Sequence, residues 1–272
     1  MVVQREDILL DKVPGEPVSA RIYRGADCRT MPPVVLYLHG GAFLDTNNHL
    51  DQPVAECLAG AGAIVVAPAY SKPTRNIFPG VLEFTFAILN CLNSKRSAFG
   101  GKKSLLFVAG EESGGNIAAG VALKARDQMP GELDGQILLS PLLDPFMGTS
   151  SFREAQTIGM RQRWADGWSQ YLGSAGDMCH PYAAPCHCSR LVGVAPALVL
   201  TAQDDPLREE ALGYAARLRG AGVFVHQHVL PAGSGWASIY GGRSADPPDW
   251  PQSIGTEFSR FIQEMSVCPG RN

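Results

Sequence analysis

The stretch Leu105–Lys124, LLFVAGEESGGNIAAGVALK, decides how the chain is read. A short apolar run, Leu105 to Val108, breaks into glycine and acidic residues and continues from Asn116 as an Ala-rich helical pattern. Strand, sharp turn and helix in that order build an elbow, a strained turn that lifts one side chain above a sheet. Such a turn reads G-x-nucleophile-x-G, and Gly110-Glu111-Glu112-Ser113-Gly114 fits that spacing with Glu112 at its centre. A carboxylate therefore stands where a hydroxyl is expected.

Working outward, other short apolar runs suit strands buried on both faces. Val34 to Leu38 (VVLYL) ends in His39-Gly40-Gly41-Ala42-Phe43, and Ala63 to Ala67 (AIVVA) follows. Gln136 to Leu139, Ala197 to Leu200 and Val223 to Leu230 complete the set. Helical patterns fall at Asp51 to Ala61, Phe78 to Asn90, Glu209 to Arg219 and Ile254 to Glu264. This alternation predicts an α/β architecture, a mostly parallel sheet with helices on both faces. Residues 7–24 carry two β patterns around Pro14-Gly15, an edge hairpin. The segment Asp144 to Arg190 breaks the rhythm, with Met147, Met160, Trp164, Trp168, Tyr171 and Met178 but no clear buried strand. It reads as a lid inserted over the carboxyl ends of the strands. With no repeat or linker, residues 1–272 are expected to form a single domain.

The 272 residues are 45% hydrophobic and 18% charged, enough apolar material for a packed core. Net charge is −3 with no run of Lys or Arg, so neither nucleic acid nor an anionic membrane surface is an expected partner. No apolar stretch approaches bilayer length, and the start, MVVQREDILL, lacks the pattern of a signal peptide. Seven scattered cysteines, an odd number, point to a reduced cytoplasm. Cys179-His180 and Cys186-His187-Cys188 lack the C-x2–4-C spacing of zinc sites, so no metal is expected. Neither a phosphate loop nor a dinucleotide fingerprint occurs, and no cofactor is expected.

Taken together, these landmarks resemble the hormone-sensitive-lipase branch of the α/β-hydrolases, the bacterial carboxylesterase-like group. His39-Gly40-Gly41-Ala42-Phe43 is similar to that family's HGGGF oxyanion motif, with Ala42 for the third glycine. Tyr70 to Pro79 (YSKPTRNIFP), Ser140-Pro141-Leu142-Leu143-Asp144 and Pro181-Tyr182-Ala183-Ala184-Pro185 resemble three more family landmarks. Leu200 to Leu207 (LTAQDDPL) resembles the segment that carries the catalytic acid, which makes Asp205 the retained acid. Against the family elbow G-D-S-A-G-G-N, Glu112 takes the place of the nucleophilic serine and Ser113 that of the following alanine. Ser234-Gly235-Trp236 fills the H-G-W element, so Ser234 replaces the catalytic histidine. The resemblance further implies an oxyanion hole from Gly40, Gly41, Ala42 and Ser113, and a substrate pocket beside Phe43 and Trp236.

Two of three triad members are changed, and no imidazole remains at the base position, so ordinary esterase turnover is not expected. The main expectation is a non-hydrolytic acid/base catalyst of lyase, isomerase or cyclase type, acting on a small apolar carbonyl compound. Glu112 would move the proton, and could share it with Asp205 across the space that Ser234 leaves. Some plant members of the branch, isoflavanone dehydratases and alkaloid cyclases, run such non-hydrolytic chemistry. Two alternatives stay open. One is a pseudoenzyme that only binds a small molecule, as plant hormone receptors of the branch do. The other is an ester hydrolase using Ser113, which needs a register shift that puts Glu111 where a small residue belongs. The family's long N-terminal helical cap is missing before His39, so the cap is expected to rest on Asp144 to Arg190 alone and leave the site more open, or alternatively a second subunit, in a homodimer, covers it. His39 is expected to brace its loop, His226 and His228 to be structural, and His49 to lie at the surface.

Overall fold

A computed structural model describes residues 2–11, 13, 17–26, 31–44, 52–70, 77–156, 159–240 and 248–267. The strands are β1 (Val3–Leu10), β2 (Val18–Gly25), β3 (Val34–Leu38), β4 (Ile64–Pro68), β5 (Leu106–Glu111), β6 (Gly135–Pro141), β7 (Ala197–Ala202) and β8 (Val225–Leu230). They form one sheet in the order β1-β2-β4-β3-β5-β6-β7-β8. β1 pairs antiparallel with β2, from Val3 opposite Gly25 to Leu10 opposite Val18, and β2 pairs antiparallel with β4. All pairs from β4 through β8 are parallel. The α/β-hydrolase architecture expected from the sequence is therefore the one present. The Pro14-Gly15 turn, Asp51, His49 and most of the Tyr70 to Pro79 stretch lie outside the described residues.

Hydrophobic patterning explains the layers. Every residue of β3, β5, β6 and β7 is buried, as continuous apolar runs with helices on both faces require. Side chains alternate between faces. Val34, Leu36, Leu38 and Val108 join the core under α2 (Gly80–Ser94), α4 (Glu112–Gln128) and α6 (Arg208–Gly220). Val35, Tyr37, Phe107 and Ala109 join the opposite core under α1 (Pro53–Gly60) and α7 (Trp250–Val267). The edge strand β8 buries only Leu230 fully, and His226 of that strand bonds Glu257 and Glu264 of α7 at 2.7 Å each, a structural clasp. β5 runs farther than its apolar stretch suggested, because Gly110 and Glu111 still pair with Leu138 and Leu139 of β6.

Residues 144–190 hold short 3-10 turns and the helix α5 (Arg161–Tyr171); no strand occurs among the described residues of this segment. Phe152, Trp164, Trp168 and Tyr171 are buried in the α2/α4/α6-side core. Helix α5 meets the oxyanion loop backbone to backbone: a Cβ on Gly167 would overlap the carbonyl oxygen of Ala42.

Candidate functional site

The junction of β5 and α4 builds the elbow. Glu112 takes a left-handed backbone, φ 54°, a conformation non-glycine residues hold only where the surroundings enforce it. The glycine at 114 permits this turn, since a Cβ there would overlap the carbonyl oxygens of Leu38 and His39. The backbone of Glu112 is anchored on the other side by Leu142 N–H, which donates to its carbonyl at 2.9 Å. The turn is thus centred on Glu112. Ser113 lies in the first turn of α4 and is 1% exposed, so the register shift that would make it the nucleophile is not the arrangement found.

The side chain of Glu112 folds into the hole that the loop provides. Its Oε2 accepts hydrogen bonds from Gly41 N–H, from Ala42 N–H at 2.8 Å and from Ser113 N–H at 3.3 Å, with Ser113 Oγ at 3.1 Å. Its Oε1 accepts from the indole N–H of Trp164. Glu112 is 1% exposed, and the position at the start of α4 adds favourable helix-dipole charge. Convergent backbone N–H groups of this kind hold a developing oxyanion in acyl-transfer enzymes. Here they hold a carboxylate from the protein itself.

Gly40 departs from expectation. Its N–H turns to the other acidic residue of the elbow, Glu111 Oε1, at 2.7 Å, so it does not join Gly41, Ala42 and Ser113 in donating to Glu112 Oε2. Burial pushes the Glu111 carboxyl up to about 7, partly offset by that bond and by Tyr37. His39 does brace the loop: its Nδ1 lies 2.6 Å from Gly40 O, and Tyr70 OH donates to His39 O at 2.5 Å.

Asp205 is equally committed. Its Oδ2 accepts from Ser140 Oγ, from Thr201 Oγ1 at 2.7 Å and from Trp236 Nε1 at 2.9 Å. Its Oδ1 accepts from Tyr240 OH at 2.7 Å and Leu207 N–H at 2.9 Å. The Tyr240 ring stands edge-on to Trp164, with centroids 5.5 Å apart. The space expected between the two carboxylates is therefore filled by the Trp164–Tyr240 pair, and Glu112 and Asp205 do not share a proton in this arrangement. Ser234 is buried, and its Oγ has no hydrogen-bond partner among the described residues. Trp236 is turned inward onto Asp205 and packs on Trp250, so it holds the acid rather than lining a substrate pocket. Phe43 stacks on Tyr171 at 4.2 Å and lies beside Trp168. Trp164 and Tyr240 were not singled out from the sequence as site residues, and no local motif marks either.

Fold and elbow together define an α/β-hydrolase with Glu112 at the centre of its elbow turn. The chain belongs to the alpha/beta hydrolase fold family, whose sequence profile matches residues 35–234, and within it to the hormone-sensitive-lipase, carboxylesterase-like branch. It is 31% identical over 236 residues to the esterase LipI of Mycobacterium tuberculosis, spanning 82% of this chain and 71% of LipI. It is 33% identical over 221 residues to the carboxylesterase NlhH of the same organism, spanning 76% of this chain and 67% of NlhH. The solved structure of the esterase rPPE superposes with a TM-score of 0.83 at 25% identity, covering 98% of this chain and 84% of that one.

These esterases overturn the expectation of a non-hydrolytic lyase, isomerase or cyclase. In the structure both Glu112 oxygens are occupied as acceptors, by three backbone N–H groups, a hydroxyl and an indole N–H. This is an enzyme family, and no helix among the described residues is long and apolar enough to cross a membrane.

Proposed function

We propose that the site serves small carboxylic esters, the substrate class named for the relatives, and that hydrolysis is the reaction it runs. The observation that carries this reading is the convergence of Gly41 N–H, Ala42 N–H and Ser113 N–H on one oxygen, the arrangement that stabilises the tetrahedral intermediate of ester cleavage. An ester carbonyl reaches those donors only when Glu112 withdraws. The withdrawn carboxylate then lies beside the carbonyl, free of its donors, takes the proton of an attacking water, and returns it to the alkoxide that departs as the ester C–O bond breaks. Asp205, locked by five donors, orients the surrounding strand ends and leaves the proton to Glu112. Without an imidazole or an acyl-serine intermediate, the reaction is slow.

The test restores the missing groups. The natural chain and the Glu112→Ser/Ser234→His variant are compared on p-nitrophenyl acetate, with a fluorophosphonate probe as a second readout. The natural chain is expected to hydrolyse slowly and stay unlabelled. The double variant is expected to gain about 10²-fold or more in kcat and to be labelled, since a complete triad is worth several orders of magnitude. A folded double variant without gain, alongside a natural chain no faster than buffer, refutes the reading. Labelling of Ser113 in the natural chain would show an acyl-serine route instead. A cytoplasmic setting goes with this reading, supported by the free thiols of Cys57, Cys179, Cys186 and Cys188. The ligand is a small molecule, and a homodimer is tested by molar mass in solution.

A further inference from the structure

Away from the elbow, three side chains of metal-binding type converge. We propose that Asp144, Cys186 and His187 form a zinc-type divalent-cation site that pins the segment after Ala184 to the carboxyl end of β6. Each offers one ligand atom, and these atoms all lie within 4.8 Å of one another. His187 Nε2 and Asp144 Oδ1 are already 3.6 Å apart. Ligands on a tetrahedral zinc, with bonds of about 2.0–2.3 Å, stand roughly 3.5 Å from each other, so closure needs shifts of about 1 Å. A carboxylate oxygen, a thiolate sulfur and an imidazole nitrogen are a donor set suited to borderline-soft zinc, with water in the fourth position.

The scaffold presents these groups on fixed backbone. Leu143 N–H and Asp144 N–H donate to Glu210 Oε2 of α6 at 2.7 and 2.9 Å, and Phe146 N–H donates to Asp144 Oδ1 at 2.9 Å. Cys186 and His187 sit in the 3-10 turn Pro185–His187, where Arg217 of α6 donates to Cys186 O and His187 N–H donates to Ala184 O at 2.9 Å. The Phe146 ring meets the His187 ring edge-on at 5.4 Å and shields one side. Glu210 is buried behind the cluster, with Oε1 unpartnered among the described residues. A divalent cation there would neutralise the Asp144 carboxylate. On binding, zinc replaces the thiol proton of Cys186, forming a sulfur–zinc bond and releasing the proton to solvent. Sequence spacing argued against a metal because the third ligand, Asp144, comes from the segment after β6 and not from the cysteine cluster.

The consequence reaches the elbow. Leu142, two residues before Asp144, donates its N–H to the carbonyl of Glu112, so a cation at Asp144 stiffens the segment that anchors the elbow.

The full chain, stripped with EDTA and kept reduced, is titrated with Zn²⁺ against a chromogenic chelator and followed by thermal melting. One equivalent is expected to bind and raise Tm. Cys186→Ser and His187→Ala should each weaken uptake at least about tenfold, the loss that even an outer-shell change produces, while Cys179→Ser leaves it unchanged. Cobalt substitution should give a thiolate charge-transfer band that Cys186→Ser abolishes. Absence of stoichiometric uptake, or Cys186→Ser binding with unchanged affinity, overturns the proposal.

Discussion

Glu112→Gln, read in a cycle with Trp164→Phe, tests how the elbow carboxylate is held. The groups that face Glu112 are donors: Gly41 N–H, Ala42 N–H and Ser113 N–H on Oε2, and Trp164 Nε1–H on Oε1. A carboxylate accepts them all, but glutamine has one acceptor and one donor end. In either amide orientation, one end of the glutamine points N–H at N–H. With the oxygen kept toward Gly41 and Ala42, the unsatisfied group is the indole of Trp164, which is wholly buried. A buried orphan donor costs about 1–3 kcal/mol, and the bonds that survive lose their charge assistance, roughly another 1 kcal/mol each. Relief from burying a charge opposes these losses, so the single variant alone does not isolate them. The cycle does. Trp164→Phe removes the orphaned donor, so in the Glu112→Gln background it should cost about 1–3 kcal/mol less than in the natural chain. Urea unfolding of the four proteins, followed by intrinsic fluorescence and circular dichroism, measures the coupling. Additivity within about 0.5 kcal/mol would mean that Trp164 does not bond the carboxylate, and the plugged oxyanion hole would fall with it.

Two further outcomes follow from burial and contact. Burial raises the Glu111 carboxyl from 4.5 to about 7 and that of Glu210 from 4.5 to about 8. The unfolded chain therefore loses these protons first, so their contribution to stability is full below about pH 4.5, declines as pH rises, and levels off near 7 and 8. For Glu111 the span of about 2.5 units is worth ~3 kcal/mol, and Glu111→Gln should flatten the urea midpoint across that window; an unchanged slope would refute it. Gly167→Ala places a methyl against the Ala42 carbonyl and should cost about 1–3 kcal/mol by forcing α5 away from the oxyanion loop. A urea midpoint equal to that of the natural chain would show that helix and loop are not in contact.

The sheet was legible because its signals are local. Runs such as Val34 to Leu38 and Ile137 to Leu139 are apolar on both faces of a two-residue repeat, as a strand covered on both sides requires. The elbow was legible for the same reason, since Gly110 and Gly114 mark a turn too tight for side chains. These local features determined which residue stands at the centre of the turn. They did not determine where its side chain points. The direction of Glu112 depends on amides contributed 70 residues away at Ala42 and on an indole from α5. The setting of Asp205 depends on Trp236 and Tyr240 reaching it. The Asp144–Cys186–His187 cluster likewise exists only once β6 and the 3-10 turn at Pro185 are side by side. Burial leaves a carboxylate no choice but to find donors, and which donors stand within reach is settled by packing of the whole chain, not by the residues next to it.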